Sequence, residues 1–225
     1  LITPASARAA EQAGSIVPIA SEAGVQKIVR LSAIKASEQG PTDNTRQHGI
    51  TERVIRESGM RFVFLRPNYY MQNLLASLGS IAGEGRLYAG MGAAKFALID
   101  ARDVGDAVAA AVLSDQFDGS ALELSGPQSI GQSDVAAAIG SVLGRPITYV
   151  AVPPEAAGEA VRAFGFDDWT VKLIVDYSRA YASGFGDFVT DSVQLLTGNA
   201  PRDIRSFARE ILMPLVRSTA SAKRA

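Results

Sequence analysis

The stretch from His48 to Asn73 constrains the fold of this chain most. His48, Gly49, Ile50, Thr51 and Glu52, then Val54 and Ile55, have helical spacing, and Ser58-Gly59 supplies the stop, since glycine adopts a helix-ending left-handed backbone at little cost. Phe62, Val63, Phe64 and Leu65 follow as an unbroken apolar run closed by Arg66-Pro67. A strand apolar on both sides must be covered on both faces, as in a parallel sheet between helical layers. The residues just past its end, Asn68, Tyr69 and Tyr70, therefore lie where open α/β sheets bind ligands.

The rest of the chain has the same organisation. Leu1 to Pro4 reads as a strand end running into a loop, so the chain is expected to start mid-fold. Ala9 to Ala20 has helical spacing with a stop at Gly24, and Pro18 predicts a kink or an early end. Lys27 to Ser32 is a short strand, and Ala36 to Arg46, with Gly40-Pro41 and Asp43-Asn44, is a loop. A helix is expected from Tyr70 through Ile81, a strand at Phe96 to Ile99, and a helix N-capped by Asp103. Ala121 to Leu124 and Ile147 to Val152 are further strands, with a helix from Val135 to Leu143 between them. Beyond Pro153-Pro154 the pattern is helical. The expected organisation is a sheet domain over residues 1–152, a small helical lobe over 153–216 and a flexible tail over 217–225.

Composition excludes several classes. With Lys+Arg 22 against Asp+Glu 23 and a net charge of -1, the chain has no field that gathers nucleic acid or an anionic membrane. Cys 0 and His 1 leave no disulfide framework, thiol nucleophile or histidine-rich metal site. No apolar run approaches the ~20 residues that span a bilayer, and the cytoplasm is the expected compartment.

Taken in order, Val29-Arg30-Leu31-Ser32, His48 with Glu52, Ser58-Gly59 before Leu65-Arg66-Pro67, Met71-Gln72-Asn73, Asp100 with Asp103-Val104-Gly105-Asp106, Ser125-Gly126-Pro127, and Thr197-Gly198 with Pro201-Arg202 resemble the NmrA-like branch of the atypical short-chain dehydrogenases/reductases. The resemblance implies an α/β, Rossmann-like parallel sheet, N-terminally truncated, with a small mainly helical C-terminal lobe. It also implies binding of NADP or NAD, and hydride transfer from NADPH to a quinone or small carbonyl acceptor. A non-enzymatic sensor of the NADP redox state, acting through a protein partner, is the alternative; a truncated pseudo-enzyme without ligand is a third. The glycine-rich fingerprint that the resemblance calls for is not found: Gly83-Glu84-Gly85 and Gly90-Met91-Gly92 do not open a helix after a buried strand.

By resemblance, Thr3, Pro4, Ser32, Ala33, Pro67 and Asn68 would line the nicotinamide end of the cofactor, and Tyr69 is a candidate hydrogen-bond donor beside it. Tyr70, Asn73 and Trp169, with Phe164 and Phe166 beside the tryptophan, are candidate substrate contacts, set against the alternative of core packing. His48 and Glu52 occupy positions where typical relatives place a tyrosine and a lysine. A carboxylate one helical turn away is expected to raise the imidazole pKa and favour a protonated donor, unless the two are only a solvated helix pair. Because only part of a dinucleotide site is accommodated, the 225-residue chain alone is expected to bind NADPH poorly or not at all. A fluorescence titration checks this, and tight binding would refute it.

Overall fold

The apolar run at Phe62–Leu65 occupies the middle strand of a parallel sheet in the computed structural model, which describes residues 1–222. The elements follow in the order α1 (Ala9–Glu22), β1 (Lys27–Leu31), α2 (Asp43–Glu57), β2 (Arg61–Pro67), a 3₁₀ segment (Met71–Ser77), α3 (Leu78–Glu84), β3 (Arg86–Ala89), β4 (Lys95–Phe96) and α4 (Ala101–Leu113). They continue with β5 (Ser120–Leu124), β6 (Ile130–Gly131), α5 (Gln132–Leu143), β7 (Thr148–Ala151), α6 (Pro154–Ala163), α7 (Asp168–Ala182), α8 (Ser192–Thr197), α9 (Ile204–Phe207), a π-helical turn (Ala208–Leu212) and α10 (Met213–Ala222).

Strands β1, β2 and β5 pair in that order, all parallel. Alternation along β2 gives each face of the sheet its own core. Phe64 packs with Val17, Ile28 and Ile55 beneath α1 and α2, while Val63 and Leu65 pack with Val104, Ala107, Val193 and Leu196 beneath α4 and α8. A third core joins α3, α5 and the C-terminal helices around Phe96, Ile139 and Phe207. Pairs β3–β7 (parallel) and β4–β6 (antiparallel) complete the strands among the described residues. On its outer edge β1 is bonded by Leu1, whose amino group donates to the Val29 carbonyl at 2.6 Å while the Leu31 N–H donates to the Leu1 carbonyl at 3.1 Å. An apolar groove of about 420 Å³ runs along that edge, lined by Leu1, Ile2, Ile16, Val29 and Val112 among others.

Several local expectations change. Helix α2 begins at Asp43, because Thr42 and Thr45 form a capping box in which the Thr42 hydroxyl accepts from the Thr45 N–H; the Asp43-Asn44 pair is thus a first helical turn and not a loop. Asp100, not Asp103, caps α4 by accepting from the Arg102 N–H at 2.9 Å. Asp103 instead accepts from the Arg202 N–H at 2.8 Å and so ties α4 to the segment before α9. Helix α1 runs through Pro18 to Glu22. The strand expected at Phe96–Ile99 is shortened to Lys95–Phe96, and Ile99 makes a single bridge to Tyr70. Residues 217–222 of the expected tail continue α10, and 223–225 lie outside the described residues.

Gly126, at the end of the β5 tip, abuts the Leu98 carbonyl so closely that a Cβ would overlap it. Gly126→Ala is therefore expected to cost about 3 kcal/mol of folding stability through forced backbone displacement, measured as a lowered urea midpoint with an unchanged m value.

Candidate active site

Parallel pairing brings the carboxyl ends of three strands side by side: the Ser32 N–H donates to the Leu65 carbonyl at 2.7 Å, the Ile34 N–H to the Pro67 carbonyl at 3.1 Å and the Asn68 N–H to the Leu124 carbonyl at 2.8 Å. Arg30 on β1 and Arg66 on β2 lie on the same face as Phe64, towards α2. Helix α2 returns along that face with its N-terminal half beyond the tips, so Asn44, His48 and Glu52, spaced four residues apart, form one buried polar stripe against them.

Glu52 is buried and accepts from Ser32 Oγ at 2.7 Å, from Arg66 Nε at 2.8 Å and Nη2 at 2.5 Å, and from Arg56 Nη2 at 3.1 Å. This corrects the expected His48–Glu52 pair, because the arginines of a strand and of the next helical turn take the carboxylate. His48 instead has Arg30 as its partner, with Nη2 3.2 Å from Nδ1. Desolvation, aided by the Arg30 charge, pushes the imidazole pKa down to about 3, the reverse of the expected direction. Arg30 is wholly buried, and its guanidinium also donates to Thr3 Oγ1 at 2.7 Å and to the Leu1 carbonyl at 3.3 Å. Burial lowers its pKa to about 10, so it stays charged.

The other predicted residues separate. Thr3 and Pro4 sit at the surface end of the site, Pro4 exposed, and Ser32 and Ala33 are buried. Asn68 is buried, and all its side-chain bonds go to protein: Oδ1 accepts from Tyr181 Oη at 3.0 Å and from the Tyr69 N–H at 2.8 Å, and Nδ2 donates to the Gly186 carbonyl at 3.0 Å. Gly186 has to be glycine, since a Cβ would run into the Tyr181 ring and Asn68 Oδ1. Tyr69 packs edge-on against Phe96 and Tyr181, and Tyr70 faces the opposite core with Val63 and Leu65. Burial raises both phenols to about 12, so each remains protonated near neutrality. Asn73, one turn beyond Tyr69, is exposed. Trp169 is half-buried at the start of α7, while Phe164 and Phe166, in the α6–α7 turn, are 79% and 55% exposed and so do not pack in a core.

Sequence reasoning missed Arg30, Asn44, Tyr177, Tyr181 and Gly186. Asn44 Nδ2 donates to Tyr177 Oη at 2.9 Å, which fastens α7 to the start of α2. Lys35, whose backbone φ is +46°, donates from Nζ to the Phe185 carbonyl at 2.7 Å beneath the Phe185 and Phe188 rings. The signal for Arg30 was present as a cation within an apolar strand, Val29-Arg30-Leu31. Among the described residues no group of three or more metal-ligating side chains occurs, and no helix is long and apolar enough to cross a membrane.

Parallel strands between helical layers, with a polar constellation at their carboxyl tips, give the chain a Rossmann-like α/β architecture. The model of the NmrA-like family matches residues 2–176, and the chain belongs to that family. It is 30% identical over 212 residues to the NAD(P)H azoreductase of Xenophilus azovorans, a match that covers 93% of this chain and 73% of the relative. The structure superposes with TM-score 0.82 at 22% identity on a nucleoside-diphosphate-sugar epimerase from Staphylococcus aureus, covering 93% of this chain and 74% of the other. With the NADPH complex of an NADPH-dependent quinone oxidoreductase from Escherichia coli the TM-score is 0.81 at 22% identity, with coverage of 89% and 71%. At these identities the structural likeness establishes a common fold.

The depressed His48 pKa has a definite sign in folding. Between about pH 6.5 and 3 the unfolded chain binds a proton at this imidazole that the folded chain does not, so stability is fully present above the unfolded value and is lost as pH falls. From about pH 6.5 to about 4.5, before most carboxylates titrate, the His48 contribution is expected to approach a slope of about 1.4 kcal/mol per pH unit. Urea unfolding across that range checks it, with His48→Gln expected to flatten the profile.

Proposed function

We propose that this chain forms the nicotinamide-facing part of an NAD(P)H-dependent oxidoreductase that reduces a small quinone or carbonyl acceptor by hydride transfer. The observation that carries the reading is the alignment of the Ser32, Pro67 and Asn68 tips beside a buried polar network under α7. Membership of the NmrA-like family supports it, as do the NAD(P)H-dependent activities that the names of the azoreductase and the quinone oxidoreductase state for those proteins.

The residues present fit one end of such a cofactor. Pro4 is exposed and Thr3 partly so, whereas Ser32, Ala33, Pro67 and Asn68, at the tips of neighbouring strands, are buried. A nicotinamide ring bound there supplies the hydride. The chain's own residues orient the ring and exclude water from it: Glu52 holds Ser32, Asn68 holds Tyr69 and α7, and the phenol of Tyr69 acts as a neutral group. Residues 1–152 are read as the partial cofactor domain and 153–216 as the helical cover on the acceptor side, in a protein of the cytoplasm that acts on a small molecule.

The test uses the complete open reading frame that encodes this chain, with NADPH oxidation followed by absorbance against a panel of quinones. Turnover with at least one member is expected. Tight NADPH binding with no turnover across the panel would replace the reductase by a redox sensor.

A further inference from the structure

We propose that Arg30 is a positioning residue that fixes His48 as a neutral imidazole with its single N–H on Nε2, and that this N–H donates to the acceptor oxygen as hydride arrives. The proposal rests on the reductase function above for its second half only.

A guanidinium has donors and no acceptor, so the 3.2 Å contact between Arg30 Nη2 and His48 Nδ1 requires a free lone pair on Nδ1. The partner itself therefore decides the tautomer. The charged groups around the ring reinforce the assignment. Arg30 reaches it from β1, Glu52 lies one turn further along α2, and Arg66 from β2 holds Glu52 at 2.5 Å, which directs that carboxylate away from the imidazole. Thr3, from the segment before α1, fixes the other side of the guanidinium at 2.7 Å. Among the described residues no group bonds Nε2, and Nε2 is not sealed from solvent. His48 is thus anchored through Nδ1 alone, with its one N–H unclaimed.

The chemistry follows from the charge. Hydride forms a C–H bond at the acceptor carbon while the carbonyl π pair moves to oxygen, which becomes negative. A neutral imidazole N–H stabilises that oxygen by hydrogen bonding without itself changing charge. Solvent then protonates the oxygen. The group so described is a fixed dipole, unlike the acid expected from a histidine one turn from a carboxylate, and its action does not follow an imidazole titration.

His48 is the only histidine, so a long-range ¹H–¹⁵N spectrum of the labelled 225-residue chain contains one imidazole. Nδ1 is expected to be imine-like and Nε2 to carry the proton, unchanged from about pH 5 to about pH 8. Arg30→Met is expected to give mixed tautomers and a titration inside that range. A proton on Nδ1 in the wild type, or an Arg30→Met spectrum identical to it, overturns the positioning role. Because Arg30→Met leaves a large change in a buried site, a second pair of variants keeps the proposal open to refutation. In the complete open reading frame His48→Leu is expected to lower kcat by ~100-fold. His48→Gln, whose Oε1 accepts from Arg30 while its amide N–H takes the place of Nε2–H, is expected to recover most of that loss. Equal losses in the two overturn the donor role, whereas a wild type that turns over no acceptor sinks the reductase reading and leaves the tautomer result standing.

Discussion

Glu52 is the constraint on which the strand-tip region depends. Its carboxylate is out of water, and such a charge is tolerated only when neighbouring donors replace its hydration. Here the donors come from three different elements: Ser32 at the end of β1, Arg66 at the end of β2 and Arg56 on the next turn of α2. Satisfying one side chain therefore fixes the relative height of two strand tips and the rotation of a helix. That rotation determines which residues of α2 face the site, and it brings Asn44 and His48 onto the same stripe as Glu52.

The same stripe divides charge unevenly. Arg66 has its carboxylate in contact, whereas Arg30, deeper in the sheet face, has a carbonyl, a hydroxyl and an imidazole as its bonded partners. A buried cation served by neutral acceptors retains an outward field, and that field falls on the imidazole. Histidine and glutamate one helical turn apart are consequently two separate devices, a structural clamp at Glu52 and, at His48, a ring facing a buried cation.

Much of the fold was legible because burial on two faces leaves a mark on a strand. Phe62 to Leu65, closed by Arg66-Pro67, can hardly be read otherwise, and its neighbours follow from the alternation of helix stops and apolar runs. Local chemistry was less legible where two answers share one composition: Asp43-Asn44 suits a turn as well as a first helical turn, and Asp100 and Asp103 are equally good caps until the Arg202 N–H claims the second. The partners of His48 and Glu52 were beyond reach for a different reason. Helical spacing shows that the two are neighbours, but the arginines that separate them stand on strands 18 and 14 residues away, and their side of the sheet is set only once the register exists. The covering of the tips by Tyr181 and Gly186 is more distant still, at 113 and 118 residues from Asn68.

Helix α7 is held to the sheet domain along its length. Lys172 reaches Asp43 at 2.7 Å, Tyr177 bonds Asn44 at 2.9 Å and Tyr181 bonds Asn68 at 3.0 Å. A rod fixed at a row of points can roll about that row but cannot swing open like a door.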